Sequence, residues 1–171
     1  MSHIELQPLL AAAREAVAKA SVVCRAVQRD LSTIRSITKD DKSPVTVADF
    51  AAQAVVAKVL RDRLGDFVMV GEEGSQTLRQ PDFAEHRKAV AEAANLVWPG
   101  ASIDDVLDAI DLGDAESPGA RGGFWTLDPI DGTKGFLRGE QYAVSLAYIH
   151  DGRVVVGALG CPNLSLDLAR D

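Results

Sequence analysis

From Leu6 to Val27 the apolar residues Leu6, Leu10, Ala13, Val17, Ala20, Cys24 and Val27 recur every three or four positions, the spacing that gathers side chains on one helix face. The same spacing returns from Val47 to Leu64 through Phe50, Ala54, Ala57, Leu60 and Leu64. Thr46 or Asp49 is available to satisfy the first amides of that helix, so Asp49 is expected near its N-terminus. Residues 82–97 and 102–110 predict two further helices, separated by Pro99-Gly100 and with Ser102 as the cap of the second. Phe67 to Val70 reads as a buried strand. The period then changes. Phe124 to Leu127 is a short strand, and the apolar runs Tyr142 to Ile149 and Val154 to Leu159 flank Asp151-Gly152, a strong hairpin signal. Ser32 to Lys42, running on to Pro44, and Gly113 to Gly123 read as polar loops. Helices precede an antiparallel sheet, which makes the fold class α+β, without internal repeats or the alternation of a doubly wound parallel sheet.

The chain has 171 residues, 47% of them hydrophobic, enough for one substantial core and a single domain over 1–171. Its formal net charge of -7 argues against a nucleic-acid or anionic-membrane surface, because those partners need clustered Lys and Arg. Any anionic substrate must be drawn in locally, and bound divalent cations can reverse the sign of a site. The two cysteines, Cys24 and Cys161, lie far apart and outside metal-ligand spacing, so neither a disulfide framework nor a zinc site is expected, and a reducing, cytoplasmic setting fits. The N-terminus does not read as a signal peptide, and no apolar run approaches the roughly 18 residues of a membrane span.

The chemistry gathers at two acidic turns. Asp128-Pro129-Ile130-Asp131 puts two carboxylates three residues apart across a proline turn. Proline fixes its own φ and biases Asp128 towards extended geometry, so the chain leaves a strand and turns at once. Gly132-Thr133 is a good beginning for a short helix whose free amides can hold a phosphate. Upstream, Gly71-Glu72-Glu73-Gly74 follows the Phe67 to Val70 strand in a similar position. Oxygen ligands from two strand ends suit Mg²⁺. Taken singly, each feature also has a plain structural reading: a strand end and helix cap at Asp128 and Asp131, a solvated turn at Glu72-Glu73, and an N-cap at Asp49.

Three segments together resemble the lithium-sensitive, Mg²⁺-dependent phosphatase superfamily that includes the inositol monophosphatases, and within it the 3′(2′),5′-bisphosphate nucleotidases. They are Asp41 to Gln53 (DKSPVTVADFAAQ), Val70 to Ser75 (VGEEGS), and Trp125 to Ser145, which opens WTLDPIDGTKGF. Lys134-Gly135-Phe136 and the long insertion between Gly74 and Gly123 favour the nucleotidase branch. The resemblance implies that Glu72, Asp128 and the Ile130 carbonyl hold one metal, and that Asp128 and Asp131 share a second. Asp49, with Thr133 beside it, would orient and deprotonate the attacking water, supported by Glu73, while the amides of Gly132 and Thr133 would receive the scissile phosphate. The implied reaction is hydrolysis of the 3′-phosphate of 3′-phosphoadenosine 5′-phosphate to adenosine 5′-phosphate. Inositol phosphates are the alternative substrates, and a catalytically inactive lobe that binds metal or a partner chain is the alternative role.

The resemblance also implies a second lobe with a further metal-binding aspartate in a Trp-Asp-x-Ala motif, and no Trp-Asp pair occurs in this sequence. The chain therefore reads as an N-terminal lobe, with fewer Mg²⁺ ions than the two or three of the family and with self-association expected at the uncovered sheet. Lys134 and Arg138 read as charge balance at the surface, and Lys39 and Lys42 as part of a solvated loop. His3, His86 and His150 read as surface residues, and Trp98, Trp125 and Cys24 as packing residues.

Overall fold

The computed structural model describes residues 5–30, 45–115 and 122–165. His3, the polar loop with Lys39, Lys42 and Pro44, and most of the second predicted loop lie outside the described residues. The elements run α1 (Leu6–Arg29), α2 (Val45–Leu64), β1 (Met69–Val70), a 3₁₀ turn (Pro81–Phe83), α3 (Ala84–Asn95), α4 (Ile103–Asp111), β2 (Gly123–Asp131), α5 (Thr133–Arg138), β3 (Ala143–His150) and β4 (Arg153–Gly160). None of the described helices is long and apolar enough to cross a membrane.

The stripe of α1 is buried from Ala12 onward, with Ala13, Val17, Ala20, Cys24 and Val27 all inside. Its first turns differ from expectation: Leu6 and Leu10 are 47% and 37% exposed, because the helix outruns the core it covers. Helix α2 departs further from an amphipathic pattern. Phe50, Ala51, Ala52, Ala54, Val55, Val56, Ala57, Val59 and Leu60 are all buried, so apolar positions surround the helix on every side. It packs against α1, α3, α4 and β2 and is the central element of the fold.

The sheet order is β1-β2-β3-β4. The three long strands are antiparallel neighbours, as expected, but β1 runs parallel to β2, so the sheet is mixed. A parallel pair needs a long crossover, supplied here by the helical segment between Val70 and Gly123, and no local turn signal announces such a pairing. The hairpin joining β3 to β4 turns at Asp151-Gly152, both with positive φ (49° and 71°), as a tight two-residue connection requires. Helix α1 lies against β3 and β4, and α2 against β2. Trp125, Leu127, Val144, Leu146 and Val156 are buried in the core that these elements build.

Ser102 caps α4 through a complete capping box, accepting from the Asp105 amide at 3.1 Å while Asp105 accepts from the Ser102 amide at 2.8 Å. Trp125 is 1% exposed and packs its ring 5.0 Å from that of Tyr148, so it is a packing residue. His86 departs from its expected surface position: its ring lies 5.4 Å from that of Phe83, and both ring nitrogens are buried without a hydrogen-bond partner.

Candidate functional site

The two acidic turns lie side by side because β1 and β2 pair in parallel, with Met69 opposite Trp125 and Val70 opposite Thr126. The chain leaves both strands in the same direction, so Glu72-Glu73 and Asp128 emerge at one end of the sheet. Brought together by parallel pairing, they need no local contact in sequence.

At the β2 end, Asp128 Oδ1 accepts the Ile130 amide at 3.1 Å, closing a turn over Pro129, which has no amide hydrogen for the strand ladder. Pairing with β3 is irregular between Asp128 and Asp131. Gly132 follows at φ 94°, a left-handed conformation open to glycine, and redirects the chain into α5 at Thr133. Helix α5 is six residues long and closes at Gly139, also left-handed. The Thr133 hydroxyl lies 3.5 Å from the Ile130 carbonyl, at the outer limit of a hydrogen bond. It makes no hydrogen bond to Asp49 among the described residues. Asp131, Gly132 and Thr133 are exposed at the rim.

At the β1 end, the Gly71 amide donates to the Gly113 carbonyl at 2.8 Å, and Ser75 is held by Asp111 through its amide (2.9 Å) and hydroxyl (2.7 Å). Arg79 donates to Ser75 at 2.7 Å and to Asp108 and Asp111 at 2.8 and 2.9 Å. Burial works against the Asp111 carboxyl, but the Ser75 and Arg79 hydrogen bonds prevail and hold it below its usual range. This brace was not read from the sequence. Its acceptors lie on α4, more than thirty positions from Ser75 along the chain, where only a structure pairs them.

Asp49 enters from α2. It stands inside the helix, which begins at Val45, near its N-terminus as expected but not at the cap. The Asp49 carboxyl is turned inward. It is only 6% exposed. Burial, then the charges of Glu73, Glu72 and Asp128, push its pKa up to about 8.

The neighbouring carboxyls repeat the pattern. Glu73 is raised by burial and by Glu72. Glu72 stands at the exposed rim, yet partial desolvation raises it first, followed by the charge of Asp128, a hydrogen bond with the Asp128 carboxyl, and the charge of Asp131. Asp128 is raised by burial and by Asp131. The structure thus brings Asp49, Glu72, Glu73, Asp128 and Asp131 into one electrostatic cluster, with Ile130, Gly132 and Thr133 on the adjoining turn. Every charge that shifts Asp49, Glu72, Glu73 and Asp128 is negative. Among the described residues no three acidic, histidine or cysteine side chains are spaced to hold a cation as they stand. Glu72 and Asp128 stand where two negative charges repel, and both are raised. Such a set of hard oxygen donors short of positive charge fits Mg²⁺.

Beside Asp128 the open face of the sheet forms a shallow hollow of about 450 Å³, lined by Thr126, Ser145, Ala147, Gly157 and Leu159. A second hollow of about 300 Å³, lined by Leu9, Leu64, Phe67, Trp125 and Tyr148, lies at the other end of β2, remote from the carboxyls.

Comparison with known proteins places these residues in context. The model of the Inositol monophosphatase family matches residues 5–169. A 3′(2′),5′-bisphosphate nucleotidase of Oryza sativa is 46% identical over 167 residues, covering 92% of this chain and 46% of that protein. The 3′(2′),5′-bisphosphate nucleotidase 1 of Arabidopsis thaliana is 44% identical over 167 residues, with 92% and 47% covered. The 3′(2′),5′-bisphosphate nucleotidase of Schizosaccharomyces pombe is 41% identical over 175 residues, with 95% and 48% covered. The chain spans about half the length of the curated relatives it matches.

Proposed function

The chain belongs to the inositol monophosphatase family, and from that premise we propose that it forms the metal-binding part of a Mg²⁺-dependent phosphatase acting on 3′-phosphoadenosine 5′-phosphate. The observation that carries the reading is the cluster of carboxyls from three separate elements, of which Asp49, Glu72, Glu73 and Asp128 are raised by burial and by acidic neighbours. The names of the relatives supply the substrate class.

Glu72, Asp128, Asp131 and the Ile130 carbonyl would hold Mg²⁺, which supplies positive charge for a phosphate and Lewis acidity at its oxygens. Asp49 is the proton acceptor for the attacking water. Its buried carboxyl holds a proton up to about pH 8 without metal, and a cation held by Glu72 and Asp128 would favour the ionised form that accepts a proton. Thr133 at the start of α5 orients that water, and Glu73 keeps the network next to Asp49 anionic. The amides of Gly132 and Thr133 take two phosphate oxygens, helped by the left-handed turn at Gly132. Water oxygen bonds to phosphorus, the bond from phosphorus to the ribose 3′-oxygen breaks, and that oxygen takes up a proton. The products are adenosine 5′-phosphate and inorganic phosphate.

A second reading is a lobe that holds metal and pairs with a further chain or another copy of itself, without turnover of its own. The open sheet face beside Asp128, with Leu159 67% exposed, favours it. One assay separates the two. Phosphate release from 3′-phosphoadenosine 5′-phosphate that requires Mg²⁺ and is inhibited by Li⁺ is expected of the phosphatase; Mg²⁺ binding without release supports the inactive lobe. Absence of both release and Mg²⁺ binding overturns the phosphatase reading.

A further inference from the structure

Helix α2 carries one fully buried polar side chain among its alanines and valines. Gln53 is 0% exposed and sits one helical turn after Asp49. Its Oε1 accepts the amides of Glu72 (3.1 Å) and Glu73 (3.0 Å), and its Nε2 donates to the carbonyls of Glu73 (2.5 Å) and Ile110 (2.9 Å). A primary amide offers two donors and two acceptor positions, and all four are used. Three of the four bonds go to the two residues of the acidic turn. Glycines close around the amide: a Cβ on Gly71 would come within 2.4 Å of Gln53 Oε1, and one on Gly113 within 2.6 Å of Gln53 Nε2. The side chain therefore sits in a fitted slot with no room to shift.

We propose that Gln53 is a positioning residue that sets the Glu72-Glu73 turn in register with Asp49, using the rigid helix they share as the ruler. The inference rests on the metal-site reading above and extends it to a group that touches neither metal nor substrate. The geometry makes the link specific. Asp49 and Gln53 stand at i and i+4 on one helix, so their side chains lie one above the other on the same face. The upper one presents a carboxyl to the site; the lower one holds by three hydrogen bonds the backbone that carries the opposing carboxyls. The turn's other ties, from Gly71 to Gly113 and from Ser75 to Asp111, anchor it to α4 and its C-terminal end, and these reach α2 only through the packing of α4 on it.

The test uses the whole chain, free of metal and then titrated with Mg²⁺. Gln53→Met keeps the length of the side chain and removes all four hydrogen bonds. We expect Glu72 and Glu73 amide protons to exchange with solvent at least tenfold faster in the metal-free variant, and Mg²⁺ affinity measured by calorimetry to fall at least tenfold. Val23→Ala, a buried change on α1, should lower thermal stability without either effect. A folded Gln53→Met chain with protected amides and unchanged Mg²⁺ affinity overturns the proposal. If that variant does not fold, Gly113→Ala, which drives a methyl group at Gln53 Nε2, is read by the same two measurements. There a several-fold loss of affinity with faster Glu72 and Glu73 exchange is expected, and no change in either overturns the proposal. A parent chain that binds no Mg²⁺ overturns the metal-site reading instead, and amide exchange at Glu72 and Glu73 then decides the role of Gln53 by itself.

Discussion

The carboxyl of Glu72, just beyond β1, is hydrogen-bonded to the carboxyl of Asp128, near the end of β2. Two negative charges in that relation disfavour each other, and a divalent cation held there would relieve the repulsion. Adding Mg²⁺ at about a hundred times its dissociation constant should stabilise the chain by about 2.7 kcal/mol, a rise of about 5–10 °C in melting temperature. The double change Asp128→Asn with Asp131→Asn should abolish that rise. Calorimetry that finds the same Mg²⁺ affinity in the double variant rules out these ligands.

Stability without metal should depend on pH through Asp49. Its pKa goes from an ordinary 3.8 to about 8 on folding. Between those values the folded state keeps a proton that the unfolded state has lost, so stability is full below the lower value, declines as pH rises and levels off above about 8. Glu72, Glu73 and Asp128, all raised, act in the same direction. Asp111, which is lowered, acts oppositely and protects the fold until the pH falls through its own range. Urea midpoints of the metal-free chain should therefore drop from about pH 5 to about pH 8, and Asp49→Asn should flatten the drop and add about 1–3 kcal/mol at the upper end. A midpoint that climbs over this interval contradicts the assignment.

How far the sequence reached can be judged from these same residues. Helix α1 and the β3–β4 hairpin were legible because their signals are local: a 3.6-residue period in one case, an Asp-Gly turn between apolar runs in the other. The α+β class and the α4 cap followed from equally local cues. Asp49 was legible as a site residue only through the family motif; its own surroundings suggested a cap, and the helix in fact starts at Val45. The parallel pairing of β1 escaped because strands joined by a long crossover leave no turn signature. Gln53 escaped because its partners lie 19 to 57 positions away, and nothing beside it in an alanine-rich helix hints at them.

Ser102→Ala separates stability from site chemistry. Loss of the capping box at α4 should cost about 1 kcal/mol. Helix α4 braces the acidic turn from its far end, at Asp111, so Mg²⁺ affinity should stay within twofold of the parent. A larger loss would mean that fraying at Ser102 reaches the turn, and titration calorimetry at a temperature where both chains are folded reads it directly.

Trp125→Ala tests the core under the sheet. The ring is 1% exposed and packs against Tyr148, so its removal should cost about 3–5 kcal/mol. Denaturant unfolding measures the loss, and a cost below about 1 kcal/mol would show that the sheet repacks freely there.

The carboxyl cluster takes its members from α2, from the turn after β1 and from the end of β2, segments separated by up to about half of the chain. Each alone supplies too few oxygen ligands to hold a cation. On the proposed reading, cation capture would follow folding, since the carboxyls converge only once the parallel pairing and the helical crossover are complete. Mg²⁺ held there would slow the chain's unfolding, but would have no partial template on which to start its assembly.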